Sequence, residues 1–335
     1  TKDVIRKNLE DLKAKGARLS LFNTGGSTGE PLQFFIGKER VSHDVAAKWR
    51  ATRWWRVDIG DPEIVVWGSP IELGAQDRVR ELRDRILRTP LLPAFEMSEQ
   101  RLDEFVDRIC ETGPKMIFGY PSALSLIAGH AAARGRDLRS AGVQVAFVTA
   151  EQLFEHQKKA IAEAFGCAVA NGYGGRDLGF AAHECPDGGL HVTAEDILVE
   201  IVDEEGKVVS KGEKGEIVVT HFASGDFPFV RYRTGDMGTL SEWLCPCGRG
   251  LPILEAVHGR TTDFIVAEDG TVMHALAVIY AVRDVPGVKN FKVVQEDLSH
   301  TRVFVIPENE FSQEAEDKIR ARLIERLGKG VRISM

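Results

Sequence analysis

Strands and helices alternate through the middle of the chain, and this alternation restricts the fold more than any other pattern. A predicted strand at 116–120 leads into a helix at 123–134, and a strand at 143–148 leads into a helix at 154–165. A short strand follows at 167–170. Because strands separated by helices pair in parallel and the helices cover both faces, we expect an α/β fold with a mostly parallel sheet. Ligands of such sheets bind at the carboxyl ends of the strands.

Shorter β segments follow the alternating region. Strands are predicted at 197–202, 216–220 and 230–232 with glycine-containing turns between them, which indicates a β subdomain. Beyond residue 259 the order strand, helix, strand, strand, helix predicts a small α+β unit. We therefore predict a large domain over residues 1–259 and a small C-terminal domain over residues 260–335.

The part before the alternating region also has readable patterns. Residues 3–15 are charged and helix-prone, and residues 39–57 predict a helix rich in tryptophan. Residues 63–70 read as a buried strand that ends in turn residues. Amphipathic helices are predicted at 77–87 and 99–111.

Composition excludes several classes of function. The 335 residues are 43% hydrophobic and 28% charged, values of a soluble globular protein, and the net charge of −7 argues against a nucleic-acid partner. No apolar run approaches the roughly 20 residues of a membrane span, and no charged-then-apolar leader opens the chain. Five cysteines do not make a disulfide scaffold in a chain of this length. We expect a cytoplasmic protein with neither a membrane segment nor a secretion signal.

Both ends of the sequence look internal. Thr1 is not an initiator methionine, and the glycine-rich stretch near residue 25 comes too early for a complete sheet before it. The last residues, up to Met335, read as a strand that stops short. We expect a part of a longer chain, with the beginning of the large domain missing and the C-terminal domain incomplete.

A glycine- and hydroxyl-rich stretch follows the apolar pair Leu21 and Phe22. Glycines leave backbone N–H groups uncrowded and hydroxyls add donors, so such a loop can curl around a phosphate. No lysine follows Gly29, which excludes the Walker pattern, and residues 31–36 read as a strand, which excludes a dinucleotide fingerprint. A phosphate cradle and an ordinary hairpin turn both fit the pattern alone.

Three later motifs decide the interpretation. Residues 171–177 read Asn-Gly-Tyr-Gly-Gly-Arg-Asp, residues 231–236 read Arg-Tyr-Arg-Thr-Gly-Asp, and residues 259–263 read Gly-Arg-Thr-Thr-Asp. With the early stretch, they resemble the four ordered motifs of adenylate-forming (acyl-AMP) enzymes. Their order and separations resemble the phenylacetate–CoA ligase branch. Gly-Tyr-Pro-Ser at 119–122 and His-Glu-Cys-Pro at 183–186 are most similar to its capsular-polysaccharide-biosynthesis relatives.

The resemblance implies a nucleotide site. Tyr173 would stack near the adenine, Glu151 would lie against it, and Asp236 would accept hydrogen bonds from both ribose hydroxyls. Residues of the glycine- and hydroxyl-rich stretch would bind the β- and γ-phosphates of ATP. The implied ATP- and AMP-binding residues are Thr24, Gly25, Gly26, Ser27, Thr28, Gly29, Glu151, Asn171, Gly172, Tyr173, Gly174 and Asp236.

The resemblance also implies catalytic residues, with departures from the family pattern. Arg260 would sit over the ribose or phosphate at the hinge of a mobile C-terminal lid. The family commonly has glutamate preceded by serine or threonine at its magnesium position, where this chain has Asp177 after Arg176. Asp177 can coordinate Mg²⁺, and Arg176 can supply positive charge to the α-phosphate. Thr262 replaces the usual hinge residue, and the lid lysine of relatives would follow Met335.

The implied reaction is carboxylate attack on the α-phosphate of ATP, release of pyrophosphate, and thioester formation with CoA. Because adjacent strand ends meet at one edge of the sheet, we expect Tyr120, Pro121, Ala150 and Gly175, together with Gly174, to line or leave room for the acyl pocket; plain core packing is the alternative. An aromatic acid is the default of this branch. Two other readings stay open: transfer to a carrier-protein thiol or an amine, and a catalytically silent nucleotide-binding module. A homodimer is also left open.

Cysteine and histidine spacing predicts a metal site. Cys245 and Cys247 lie on one tight turn, and Cys185 is flanked by His183 and His191. Three thiolates and one imidazole make a closed tetrahedral zinc site with a structural role. Relatives with this Cys-x-Cys-Gly turn carry a downstream histidine, which favours His191 over His183; three unrelated free cysteines are the alternative.

Overall fold

The computed structural model describes residues 1–24, 32–67, 77–94, 97–259, 264–269, 272–274, 276–283, 285–308 and 310–335. Its α-helices are α1 Lys2–Lys7, α2 Lys38–Trp54, α3 Asp77–Leu87, α4 Glu99–Thr112, α5 Pro121–Ala133, α6 Glu155–Phe165, α7 Leu276–Arg283 and α8 Gln313–Leu327. Its first nine strands are β1 Leu19–Asn23, β2 Gln33–Gly37, β3 Glu63–Trp67, β4 Leu91–Pro93, β5 Met116–Gly119, β6 Val145–Thr149, β7 Ala168–Gly175, β8 Gly179–Glu184 and β9 Leu190–Val192. The later strands are β10 Ile197–Val202, β11 Lys214–His221, β12 Tyr232–Leu240, β13 Leu254–Gly259, β14 Phe264–Val266, β15 Val272–His274, β16 Val288–Asp297, β17 His300–Pro307 and β18 Arg332–Ser334.

A seven-stranded sheet with the order β4-β3-β5-β6-β7-β8-β9 forms the centre of the fold. The pairs from β4 to β7 are parallel, and the two pairs from β7 to β9 are antiparallel. The predicted α/β fold with a mostly parallel sheet is confirmed.

Helices cover both faces of this sheet because side chains alternate along its strands. Met116 and Phe118 of β5 are buried in one cluster with Ala51 of α2. Ile117, between them, is buried in a different cluster with Leu124 of α5 and Phe105 of α4. The apolar runs of the central strands are therefore shielded from water on both sides, as parallel sheets require.

A second core forms around the four-stranded antiparallel sheet β10-β11-β12-β13 and the β1–β2 hairpin. Phe34 of β2 meets the edge of Phe229 at a centroid distance of 5.6 Å, and Phe229 meets Tyr232 of β12 at 5.2 Å. The β subdomain predicted from the sequence is thus present, and it packs against the hairpin that holds the glycine-rich stretch.

The C-terminal part has a core of its own. Val278 of α7, Leu323 of α8, Val303 of β17 and Ile333 of β18 belong to one buried cluster whose members all lie between residues 265 and 333. Residues 260–263 lie outside the described residues, so the domain division at 259 stays a prediction.

Three elements differ most in their boundaries from the sequence-based predictions. The helix predicted at 3–15 ends at Lys7, where the Asn8 side chain donates to the Val4 carbonyl over 2.8 Å and competes with helix continuation. The strand predicted at 167–170 runs on to Gly175. The strand predicted at 230–232 corresponds to β12, which continues to Leu240 because it pairs with both β11 and β13.

No helix in the described ranges combines the length and the apolar character that crossing a bilayer would require.

The central core can be tested with two leucines of α5. Leu124 is fully buried, whereas Leu126 is 47% exposed on the same helix. Leu124→Ala should lower the free energy of unfolding by about 3 kcal/mol because it leaves a cavity between helix and sheet. Leu126→Ala, the control, should change it by less than about 0.5 kcal/mol. Urea unfolding measures both, and equal losses would contradict this packing.

Candidate functional site

The carboxyl ends of the parallel strands lie level with one another. Val66 of β3 pairs with Gly119 of β5, Gly119 pairs with Val148 of β6, and Val148 pairs with Asn171 of β7. The residues directly after these positions therefore share one edge of the sheet. They are Trp67, Tyr120, Thr149, Ala150 and the β7 residues Gly172, Tyr173, Gly174 and Gly175.

Aromatic rings and a strained residue line one part of this edge. The rings of Trp67 and Tyr120 stack with their centroids 4.2 Å apart, and Pro121 is buried at the first position of α5. Ala150 has a φ of +70°. This left-handed conformation costs a residue with a side chain about 1 kcal/mol. The surrounding structure therefore holds the backbone after β6 in place.

Glu151 follows the strained residue and faces the start of α5. Its Oε2 accepts a hydrogen bond of 3.2 Å from the backbone N–H of Ser122. The positive end of the helix favours an anion there. Removal from water is the larger effect, and it raises the pKa of the Glu151 carboxyl above the ordinary value of 4.5.

The glycines of β7 are in close contact with their neighbours. The Thr149 hydroxyl donates to the Gly172 carbonyl over 2.8 Å. A Cβ atom would lie 3.1 Å from the Phe147 ring at Gly172, and 2.3 Å from the Gly179 carbonyl oxygen at Gly174. The approach of β7 to β8 at Gly174 therefore leaves no room for a side chain.

Tyr173 and Asp236 link the central sheet to the second sheet. The Tyr173 hydroxyl donates to Asp236 Oδ2 over 2.9 Å, and the Asp236 backbone N–H donates to Thr234 Oγ1 over 2.9 Å. Burial and the adjacent Asp236 carboxylate raise the pKa of Tyr173 well above its ordinary value. Tyr173 is therefore a neutral phenol that donates to the carboxylate.

Arg176 and Asp177 lie in the turn between β7 and β8. Arg176 Nη1 donates to the carbonyl and to Oδ1 of Asn23, both over 3.2 Å. The Tyr232 hydroxyl donates to Asp177 Oδ2 over 2.6 Å. These contacts join the turn to β1 on one side and to β12 on the other.

Two hydrogen bonds join Thr24 and Leu32, the described residues on either side of the glycine-rich stretch. The Thr24 N–H donates to the Leu32 carbonyl, and Thr24 Oγ1 accepts from the Leu32 N–H, each over 2.9 Å. β1 and β2 are paired antiparallel, so the stretch connects the two strands of a hairpin. The predicted site residues that lie outside the described residues are Gly25, Gly26, Ser27, Thr28, Gly29 and Arg260.

Four residues with metal-binding side chains meet beside β8 and β9. One atom from each of Cys185, His191, Cys245 and Cys247 lies within 4.8 Å of the others. Cys185 Sγ is 3.6 Å from Cys245 Sγ, and Cys247 Sγ is 3.2 Å from His191 Nε2. Thiolates bound to a tetrahedral zinc ion at about 2.3 Å would be about 3.8 Å apart. The cluster therefore has the size and the chemistry of a closed zinc site.

His183 does not belong to this cluster of cysteines. Its ring packs against Phe180 and Phe147 at centroid distances of 5.3 and 5.8 Å. Of the two histidines left open by the sequence, the structure brings His191 to the sulfur atoms.

Sequence reasoning missed two residues near the candidate site. Glu184 Oε2 accepts from the Asn171 N–H over 2.8 Å, and Arg40 Nη2 donates to the Asp177 carbonyl over 3.2 Å. The partners are 13 and 137 positions apart in the chain. No local pattern identifies such contacts.

Known proteins match parts of this chain. Residues 91–223 match the family model described as AMP-binding enzyme. The phenylacetate-coenzyme A ligase of Thermus thermophilus is 28% identical over 188 residues, covering 54% of this chain and 42% of that protein. Its namesake from Aromatoleum evansii is 25% identical over 175 residues, covering 51% of this chain and 39% of that protein. The match spans about two fifths of the length of these curated relatives.

Solved structures share the fold. The crystal structure of 2-hydroxyisobutyryl-CoA ligase with 2-HIB-AMP and CoA in the thioesterification state has a TM-score of 0.65 at 20% identity, and the alignment covers 94% of this chain and 69% of that one. ATP-bound MatB from Rhodopseudomonas palustris has a TM-score of 0.53 at 16% identity, covering 94% of this chain and 63% of that one.

The raised pKa of Glu151 predicts a pH dependence of stability. The folded state holds the Glu151 proton more tightly than the unfolded state, so the folded state binds more protons above pH 4.5. The stabilisation is complete below that pH and is lost as the pH rises through the folded-state pKa. The free energy of unfolding of the wild type, relative to Glu151→Gln, should therefore fall with rising pH.

Urea unfolding at a series of pH values measures this difference. Glu163→Gln, which removes an exposed carboxylate from α6, is the matched control. A wild-type advantage over Glu151→Gln that grows with pH would contradict the assignment.

Proposed function

We propose that this chain is an adenylate-forming enzyme, which activates a carboxylic acid as an acyl-adenylate and then forms a thioester with CoA. In the first step a carboxylate oxygen attacks the α-phosphorus of ATP. The bond from this phosphorus to the bridging oxygen breaks, and pyrophosphate leaves. Positioning and charge stabilisation are the main contributions of a protein to such a transfer.

One observation carries the proposal: three contacts connect the first three of the four motifs. Arg176 contacts Asn23 at the base of the glycine-rich stretch, Asp177 contacts Tyr232, and Tyr173 contacts Asp236. An arrangement with the motifs on opposite sides of the molecule would have argued against a shared site.

Each motif has a role in this proposal. The Asp236 carboxylate accepts hydrogen bonds from the ribose hydroxyls, and Tyr173 both orients that carboxylate and lies beside the adenine. Glu151, Asn171, Gly172 and Gly174 flank the base. Thr24, Gly25, Gly26, Ser27, Thr28 and Gly29 bind the β- and γ-phosphates, and Arg260 acts at the hinge between residues 1–259 and a C-terminal lid over 260–335.

Arg176 and Asp177 serve the reacting phosphate. Arg176 supplies positive charge where negative charge grows in the transition state. Asp177 Oδ2 is occupied by the Tyr232 hydroxyl, and its other oxygen is suited to Mg²⁺. Mg²⁺ in ATP sites is held by one or two carboxylates and by phosphate oxygens, so a single aspartate fits.

The acyl group would lie beside the stacked rings of Trp67 and Tyr120. Pro121, Ala150 and Gly175 border the same strand ends, and these surfaces favour an aromatic acid. The matched ligases are named for phenylacetate and coenzyme A, which supports CoA as the acceptor. A carrier-protein thiol or an amine would attack the acyl carbonyl carbon of the same adenylate, with AMP as the leaving group.

The Cys185, His191, Cys245 and Cys247 cluster is proposed to hold structural Zn²⁺. All four ligand positions are filled by the protein, so such a site supplies stability rather than chemistry. The site would join β8 and β9 to the turn that holds Cys245 and Cys247.

The activity is tested by carboxylate-dependent ATP–pyrophosphate exchange over a panel of aromatic and aliphatic acids. Exchange with at least one acid is expected. Asp236→Asn should lower kcat/KM for ATP and weaken AMP binding by about tenfold or more, because a charged acceptor becomes a weaker one. Asp317→Asn, on the exposed face of α8, is the control. AMP binding without exchange for any acid would instead indicate a silent nucleotide-binding module.

Elemental analysis tests the metal. The purified protein should carry one zinc ion per chain, and Cys247→Ser should lose it and melt at a lower temperature because a ligand is missing. Cys110→Ser, which removes a thiol of α4 outside the cluster, should keep the zinc. Wild-type protein that contains no zinc and melts at the same temperature with a strong chelator would contradict the proposal.

A further inference from the structure

Arg40 is a buried charge whose contacts lead to the turn between β7 and β8. It lies in the first turn of α2 and is 1% exposed. Its Nε donates to Asp44 Oδ2 over 3.1 Å, and its Nη2 donates to the Asp177 carbonyl over 3.2 Å. The guanidinium thus joins an ion pair on α2 to the backbone of Asp177.

Burial of the Arg40 guanidinium costs free energy. Burial lowers the pKa of Arg40, although Asp44 acts in the opposite direction. Nη1 is buried and has no hydrogen-bond partner within the described part of the chain. A buried charge with incomplete hydrogen bonding is poor evidence of a stabilising role. Its position therefore calls for another explanation.

The neighbouring strand is shaped around the same ion pair. Gly179, the first residue of β8, has a φ of +71°. A Cβ atom there would lie 2.3 Å from Asp44 Oδ1, 3.1 Å from Arg40 Nη2 and 3.2 Å from His221 Nε2. Only glycine lets the chain leave Asp177 and enter β8 against this pair.

Both the backbone carbonyl and the side-chain carboxylate of Asp177 accept hydrogen bonds. Arg40 binds its backbone carbonyl, and the Tyr232 hydroxyl binds its carboxylate over 2.6 Å. We propose that Arg40 and Tyr232 are positioning residues that fix the Arg176–Asp177 pair toward the phosphates of bound ATP. This inference rests on the proposed function, and it adds two residues that act through Asp177.

The connection to the glycine-rich stretch explains why a residue of α2 serves this purpose. α2 begins directly after β2, the strand that closes the hairpin around that stretch. A contact from the first turn of α2 to Asp177 therefore fixes the end of β2 relative to the turn that carries Arg176 and Asp177. Arg176 joins the same turn to β1 through Asn23.

The test is a double-mutant cycle on ATP–pyrophosphate exchange. Tyr232→Phe removes one hydroxyl, and Arg40→Met removes the guanidinium while keeping much of its length. Each should lower kcat by about tenfold and raise the Mg²⁺ concentration for half-maximal exchange, since one hydrogen bond to a charged or catalytic group is lost. In an Asp177→Asn background, Tyr232→Phe should not lower kcat further, because both changes act on the same carboxylate contact. The cycle is made with Tyr232→Phe alone, since Arg40 contacts the backbone carbonyl that Asp177→Asn keeps.

Urea unfolding and Arg53→Met, an exposed arginine of the same helix, provide the controls. Arg53→Met should keep the wild-type rate and Mg²⁺ dependence. If Arg40→Met does not fold, the cycle between Tyr232 and Asp177 decides alone. Wild-type Mg²⁺ dependence in Tyr232→Phe, or losses that multiply with Asp177→Asn, overturn the inference. Absence of wild-type exchange with every acid overturns the proposed function first, and this inference with it.

Discussion

Parallel pairing of β3, β5, β6 and β7 is the constraint on which the candidate site depends. The register sets Gly119, Val148 and Asn171 side by side, so the loops that follow them start from one line. Each strand is buried on both faces, and a slip of one residue would exchange its two sets of apolar side chains. The packing that stabilises the sheet therefore also fixes which loop residues meet.

The reversal of direction at β7 and β8 adds the second half of the site. The parallel part of the sheet ends at β7, because the next strand, β8, pairs with β7 in the antiparallel direction. The turn between β7 and β8 carries Arg176 and Asp177. Tyr173 then reaches Asp236 and Asp177 reaches Tyr232, both on β12 of the second sheet. The candidate site thus lies where two cores meet, a common place for ligand clefts.

The sequence predicted the elements better than their contacts. The last helix of the predicted C-terminal unit is present as α8, which Ser312 caps and Gly328 follows. The α/β alternation was equally readable. The helix predicted at 3–15 was wrong beyond Lys7, since a charged composition does not supply the tertiary contacts that a helix needs.

The sequence motifs identified several residues of the candidate site, and the structure identified the contacts between them. Asp236, Asp177 and Tyr173 were selected by the motifs to which they belong. Arg40 was not, because an arginine in a predicted helix reads as a solvent-facing residue until its partner 137 positions away is known. His191 was favoured over His183 only by analogy, and the tertiary contact that decides between them, from the His191 ring to Cys247, has no local signal in the sequence.

The left-handed backbone at Ala150 has a consequence for the substitutions that this edge of the sheet accepts. A φ of +70° strongly disfavours β-branched side chains, whereas glycine, asparagine and aspartate adopt it more readily than other residues. Valine, isoleucine and threonine are therefore the replacements that this position resists most. A larger or smaller surface at this edge of the sheet is more readily made by exchanging Trp67 or Tyr120, two stacked rings whose backbone does not have the positive φ of Ala150.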